Sequence, residues 1–172
     1  MRVSGGVSAA DVEAMRHALW MVLADFGIDQ AEPSTWTVER PAQLQRLRDH
    51  PAFRWRPTAA LERTIQTIVG TAFDRPKDWG SAFVAFRSTA WGVPDKGWHI
   101  DANYRSPLFP AGGVKTLALL GEVKSRGGGT QVLDGSHRLV HDWFRRHPPP
   151  PTARRSPRVG ERNCPCSLAL NS

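Results

Sequence analysis

The sequence has few features of a membrane or secreted protein. No apolar run approaches the roughly 18–20 residues that cross a bilayer, so we expect no spanning segment. The first ten residues include one basic residue and no sustained apolar stretch, which does not predict a secretory signal peptide. Cysteine is missing from residues 1–147, as is typical of a reducing compartment. We therefore expect a cytoplasmic protein without a membrane partner.

Both cysteines, Cys164 and Cys166, lie in residues 148–172. Separated by one residue, they suit neither an ordinary disulfide nor a closed four-ligand zinc site. The same segment begins with four prolines and carries four Arg against one Glu, a net +3 of the chain's +7. Such a composition cannot bury enough apolar surface to offset its chain entropy. We predict a Pro/Arg-rich tail without packed structure.

The remaining residues, 1–147, have the size and composition of one globular domain. The whole chain has 172 residues, and a domain of about 150 buries roughly 68–70% of the surface that its unfolded chain exposes. Hydrophobic residues make up 40% of the chain and charged residues 23%, which are ordinary values for a soluble protein. A hydrophobic core is therefore feasible.

The first seventy residues are predicted to be mainly helical. Residues 8–27 place apolar side chains at helical spacing, with Ser8 and Asp11 as a capping pair and Gly27 as the stop. We expect this helix to pack on a core, because its opposite face mixes acidic and basic residues. Two shorter helices are predicted, over residues 41–48 and 58–69.

After Trp79 the apolar pattern becomes that of strands. Residues 81–86 and 114–123 are apolar runs of strand type, and a further strand is predicted over 130–133. Turns rich in glycine and proline separate these runs. Short strands between such turns indicate a sandwich or jelly roll rather than parallel β/α units. The predicted fold class is α+β, with the β-rich part over residues 81–135.

The leading candidate site is the pair His99 and Asp101. On a β-strand, alternate side chains share a face, so both would point the same way, with Cα atoms about 6.5 Å apart at roughly 3.3 Å per residue. An imidazole and a carboxylate placed in this way can bind one metal ion. The spacing alone also fits a surface or hydrogen-bonded histidine.

A second segment strengthens the metal interpretation. Residues 127–138 read Gly-Gly-Gly-Thr-Gln-Val-Leu-Asp-Gly-Ser-His-Arg, which predicts two turns around a short strand and then a helix capped by Ser136. The glycines lack the Gly-Lys-Ser/Thr of a phosphate-binding loop, so they indicate a turn. Together, Gly-Trp-His-Ile-Asp over residues 97–101 and this later segment resemble the phytanoyl-CoA dioxygenase family of Fe(II)/2-oxoglutarate oxygenases. The resemblance covers roughly residues 80–147.

The resemblance implies a double-stranded β-helix, the cupin-like jelly roll, with N-terminal helices packed on it. It implies Fe(II) as cofactor, 2-oxoglutarate and O₂ as cosubstrates, and hydroxylation of a small organic molecule. His99 and Asp101 would be the first two iron ligands. Asn103 would contact water or cosubstrate, or be a plain polar strand residue, and Leu117 would form an apolar wall where relatives carry an aromatic residue.

Members of that family also have a third ligand, a His on a late strand, followed by a basic residue that pairs with 2-oxoglutarate. This sequence has neither at a matching position, and its only later histidines are His137, His141 and His147. His137 is a weak substitute for the ligand, and Arg145 and Arg146 would anchor the cosubstrate only if that substitution holds. We therefore expect an incomplete jelly roll, C-terminally truncated relative to the family.

Two other functions remain open. One is a non-catalytic remnant or scaffold with the same partial fold. The other is nucleic-acid binding through the basic tail, which four Arg without Lys or aromatic residues make the weaker interpretation. The sequence predicts neither the substrate nor the oligomeric state.

Overall fold

The protein combines helices with short strands. A computed structural model describes residues 1–86, 92, 98–99, 114–125, 129–148 and 167–171, the last of these through their backbone alone. The chain forms two compact units. Among the described residues, 98–99 and 130–148 belong to the second unit, and all the others belong to the first unit. Within these residues lie three α-helices and three strands, in agreement with an α+β class.

The first helix, α1, spans Ala9–Ala24. Ser8 caps it as predicted, because its hydroxyl accepts a hydrogen bond from the Asp11 amide at 3.0 Å and donates to the Asp11 carboxylate at 2.7 Å. The helix ends in a Schellman turn around Gly27, whose φ of 74° lies in the left-handed region that favours glycine. The predicted stop at Gly27 is confirmed.

A 3-10 helix, Leu44–Asp49, takes the place of the helix predicted over residues 41–48. Leu44 and Leu47 are buried, whereas the two residues between them are exposed. A spacing of three residues matches the 3-10 period, so this tighter helix turns both leucines toward the core. Two single-turn 3-10 helices lie at Pro33–Thr35 and Pro51–Phe53.

The next helix, α2, spans Ala59–Val69 and confirms the predicted segment. Thr58 caps its N-terminus and also donates a hydrogen bond to the Gly5 carbonyl at 2.7 Å, which ties the start of the chain to this helix. Gly70, with a φ of 87°, closes the other end.

Three strands form one sheet in the order β1-β3-β2, where β1 is Ser81–Ala85, β2 is Leu117–Leu119 and β3 is Ser167–Asn171. Both pairings are parallel. In β1 the side chains of Ala82 and Val84 are buried, so this strand contributes one face to the core.

The sheet differs from the prediction in its extent and direction. β2 is much shorter than the run predicted over 114–123, residues 130–133 form no strand, and β3 lies inside the tail predicted to lack packed structure. Jelly rolls are antiparallel, and the described residues form none. The reason is that a strand depends on its pairing partners and on a core to face, which apolar content alone does not supply.

The core lies in the first unit and is built by α1, the 3-10 segments, α2 and β1. Its fully buried large side chains are Trp79, Phe53, Met15, Leu19, Leu23, Leu47 and Leu120. Beside it, Trp36 stacks on Phe86 with ring centroids 5.0 Å apart, and Trp20 lies 5.7 Å from Trp36. Because aromatic rings bury large areas, this cluster joins α1 to the residue that follows β1.

Candidate functional site

His99 is the one member of the predicted ligand pair whose position the structure describes. Its side chain is exposed, and neither His99 nor Trp98 belongs to a helix or strand. Trp98 is 47% exposed. Asp101 and Asn103 lie outside the described residues, as does the rest of the strand predicted around them. The shared strand face of His99 and Asp101 therefore stays a prediction.

The Gly-Ser-His turn is described in full. It leads into the helix α3, which spans Ser136–Arg146. Gly135 has a φ of 75° and accepts a hydrogen bond from the Arg138 amide at 3.0 Å. A Cβ on Gly135 would meet no atom within 4 Å, so the backbone angle rather than space favours glycine here. Ser136 is the first helical residue and not the cap that the sequence predicted, and His137 stands exposed in the first turn.

The three late histidines have different surroundings. His137 and His141 are four residues apart on α3, so they share a helix face, and both are exposed. His141 Nδ1 lies 3.6 Å from a carboxylate oxygen of Asp142. His147 follows the helix, with Nδ1 3.0 Å from the Trp143 carbonyl and its ring stacked on Trp143 at 4.8 Å. Through these contacts the His147 ring packs against the C-terminal end of α3.

The donor set fits Fe(II) in part. Across the described ranges, no three His, Cys, Asp or Glu side chains lie together as metal ligands would. His99 and Asp101 supply one imidazole and one carboxylate, two of the three donors in a 2-His-1-carboxylate site. His137 stays the weak substitute for a third donor that the sequence offered.

Leu117, the predicted apolar wall, is the first residue of β2 and is 39% exposed. Leu119, on the same face of this strand, is 54% exposed. Both residues belong to the first unit, whereas His99 belongs to the second. The role of Leu117 beside a cosubstrate therefore stays a prediction from the resemblance.

An open cleft of about 560 Å³ lies beside α1, and the sequence does not predict it. Its walls include His17, Trp20, Asp29 and Thr35. The polar atoms of the loop bond to one another: the Asp29 amide donates to the Thr35 hydroxyl at 2.9 Å, and the Trp36 indole N–H donates to the Asp29 carbonyl at 2.7 Å. These hydrogen bonds hold the loop after α1 in place, and the loop forms one wall of the cleft.

Comparison with family models, curated proteins and solved structures finds no match for this chain. The resemblance to the phytanoyl-CoA dioxygenases therefore depends on two motifs and their order along the chain. The first motif contains His99 and Asp101, and the second contains Gly135 and His137. The structure describes residues 129–138 of the second motif, where a left-handed glycine is followed by a helix.

Proposed function

We propose that this chain is an Fe(II)/2-oxoglutarate-dependent oxygenase that hydroxylates a small organic substrate. The observation that carries the proposal is the order of its motifs, with His99-x-Asp101 first and the Gly-Ser-His turn at Gly135–His137 after it. Each motif alone has little specificity, and the ordered pair has more. The family assignment to phytanoyl-CoA dioxygenases is part of the same proposal.

The conformation at Gly135 supports the proposal. The left-handed angle of the residue directly before α3 gives the glycine of the Gly-Ser-His sequence a structural reason, because glycine adopts that angle without the cost other residues incur. The jelly roll that would accompany this function is also proposed.

In this proposal His99 and Asp101 hold the iron, and the carboxylate offsets part of its charge. Fe(II), when bound with 2-oxoglutarate, supplies the activation of O₂ that hydroxylation requires. The His99 ring needs an acceptor at its second nitrogen to keep its orientation. Asn103 would contact water or cosubstrate, and His137 would be a weak substitute for the third ligand.

The test is an anaerobic titration of the full chain with Fe(II) and 2-oxoglutarate. A weak visible charge-transfer absorption is expected on formation of the ternary complex, and His99→Ala or Asp101→Asn should abolish it. His17→Ala is the matched control, because His17 is also exposed but lies on α1 in the first unit. His137→Ala tests the third ligand, and loss of the band would place that imidazole on the metal.

Absence of the band in the unaltered chain would contradict the proposal. Turnover then separates the remaining functions. An oxygenase converts 2-oxoglutarate to succinate in an iron-dependent manner, whereas a non-catalytic remnant stays folded and forms no succinate. A band without succinate would indicate a metal-binding remnant and would remove the catalytic part of the proposal.

A further inference from the structure

The helix α3 separates its apolar and polar residues onto two faces. Leu139, Val140, Trp143 and Phe144 recur at helical spacing and form one continuous stripe. The rest of the circumference is polar and mostly basic. It consists of His137, Arg138, His141, Asp142, Arg145 and Arg146.

Much of the apolar stripe is exposed to solvent. Leu139 is 68% exposed and Trp143 is 53% exposed, and α3 has no buried residue. Just before the helix, Val132 is 77% exposed and Leu133 is 57% exposed. An apolar helix face in water loses the burial that normally stabilises it, so such a face indicates an interaction surface.

The polar face carries a positive charge. Three arginines stand against one acidic residue, Asp142, on α3. Arg145 lies 3.7 Å from the Asp142 carboxylate, and Arg146 donates a hydrogen bond to the Asp142 carbonyl at 3.2 Å. Both arginines and Arg138 are exposed, so their guanidinium groups face water. The tail that follows adds four more Arg against one Glu.

We propose that α3 lies flat on an anionic phospholipid surface. The apolar stripe would enter the boundary between headgroups and acyl chains, while the arginines at its sides would reach the lipid phosphates. Trp143 belongs at that depth, because an indole ring has an apolar body and a polar N–H. Each arginine near an anionic surface adds to the attraction.

Other partners fit these features less well. A nucleic acid would use the arginines but would leave Leu139 and Trp143 in water. A second copy of α3 could cover the apolar stripe, but it would bring two positively charged helices together. An anionic lipid surface would bury the apolar stripe and would also bind the arginines.

The proposed helix lies on the membrane surface and does not span the membrane. No described helix is long and apolar enough to cross a bilayer. The sequence predicted no membrane partner because it has no spanning run and because the helix over residues 8–27 was expected to pack on a core. Met15, Leu19 and Leu23 of that helix are buried. The exposure of α3 is a property of the tertiary structure, and the proposal is independent of the proposed oxygenase activity.

The experiment is co-flotation of the full chain with vesicles. Binding is expected to vesicles of phosphatidylcholine mixed with phosphatidylglycerol and to be weak on phosphatidylcholine alone. Raising the salt to about 1 M, where the Debye length is about 3 Å, should release most of the protein. Equal binding to both vesicle types would overturn the proposal, because it would remove the role of the arginines.

Variants locate the binding on α3. The triple change Arg138→Gln, Arg145→Gln and Arg146→Gln should weaken binding about a hundredfold, at about fivefold for each arginine. The control removes the same charge from exposed positions in the first unit, with Arg2, Arg56 and Arg63 changed to Gln. This control should bind within about threefold of the original chain. Changing the same three α3 arginines to Lys should retain binding.

The apolar stripe is tested in the same way. Leu139→Ser with Trp143→Ser should weaken binding on the order of tenfold or more. The control is Val38→Ser with Ile68→Ser, which alters residues that are 50% and 52% exposed in the first unit. Circular dichroism of each variant confirms folding before flotation.

Three further results would overturn the proposal. Equal losses in the α3 variants and their controls would show that binding is not located on this helix. Concentration-dependent dimers that Leu139→Ser with Trp143→Ser abolishes, without flotation, would assign the stripe to a second copy. A salt-sensitive shift of duplex DNA without flotation would assign the arginines to nucleic acid.

Discussion

The helices α1 and α3 both carry apolar residues three and four positions apart, and their surroundings are opposite. In α1 the side chains of Met15, Leu19 and Leu23 are fully buried. In α3 no residue is buried, and Leu139 keeps 68% of its surface in water. Both stripes follow from apolar residues three and four positions apart. The periodicity therefore specifies a helix with an apolar face, and the rest of the structure determines what covers that face.

The two helices should also differ in what stabilises them. Burying a leucine contributes about 1.5–3 kcal/mol, so tertiary packing supplies most of the stability of α1. In α3, Trp143 forms a T-shaped pair with Phe144, with ring centroids 4.9 Å apart, and the ring of His147 stacks on Trp143. Equivalent substitutions in the two helices can measure this difference.

The largest expected effect comes from shortening one leucine in each helix. Leu19→Ala should lower the free energy of unfolding by about 2–5 kcal/mol, because it leaves a cavity in the core. Leu139→Ala should change it by less than about 0.5 kcal/mol, since the removed atoms are already in water. Urea unfolding followed by circular dichroism measures both values. Similar losses in the two variants would show that α3 is packed as tightly as α1.

The next effect concerns the two left-handed glycines at the helix ends. Gly27→Ala should cost about 1–2 kcal/mol, because φ is 74° and alanine is strained at that angle. A Cβ at either Gly27 or Gly135 meets no atom within 4 Å, so steric overlap does not contribute.

Gly135→Ala introduces the same strain before α3, where φ is 75°. We expect it to reduce the helical signal without moving the main unfolding transition, because α3 has no residue in the core. Thermal unfolding of both variants is the measurement. A shift of the main transition by Gly135→Ala as large as that caused by Gly27→Ala would contradict the difference between the helices.

A smaller effect is expected at the cap of α1. Ser8→Ala removes the hydroxyl that accepts the Asp11 amide, which should cost about 1 kcal/mol. Ser8→Asp should restore most of this loss, since a carboxylate also caps a helix, although Asp11 lies close to it. Ser4→Ala, at an exposed position before the cap, is the control and should have no measurable effect on urea unfolding.

The smallest expected effect is at a surface ion pair of the first unit. Arg48 Nε lies 3.1 Å from a carboxylate oxygen of Asp78, with the arginine side chain 46% exposed. Arg48→Gln should lower the free energy of unfolding by less than about 1 kcal/mol, because solvent screens the pair. The loss should shrink further in high salt. A loss as large as that of Leu19→Ala would show that this pair, and not the core, holds the unit together.

Local signals in the sequence predicted the helix ends well. Ser8 and Gly27 lie where the cap and the stop of α1 were expected, because such caps form hydrogen bonds with residues only a few positions away. Ser136, which was predicted to cap α3, is instead its first helical residue. The strands were predicted less well. Apolar runs around β2 indicated a strand, but the partner of β2 is β3, about fifty residues away in a segment whose composition predicted no packed structure.

The candidate site was predicted through residue types rather than geometry. His99 and Asp101 follow from a motif, and the turn at Gly135 follows from its Gly-Ser-His sequence, so both could be named without a structure. A third metal donor could not, because ligands that meet at one ion need not be close in sequence. The exposed stripe of α3 was also missed, since its spacing is the same as that of a helix packed on a core.

The amino-acid sequence by itself determined the positions of α1 and α2, the caps of α1, and the order of the two motifs on which the proposed function depends. Only the tertiary structure decided the parallel order of the three strands and which apolar helix faces are covered. The physical reason is the separation along the chain of the residues that interact. Caps and turns are set by hydrogen bonds between neighbouring residues, whereas strand pairing and burial depend on residues far apart in the chain.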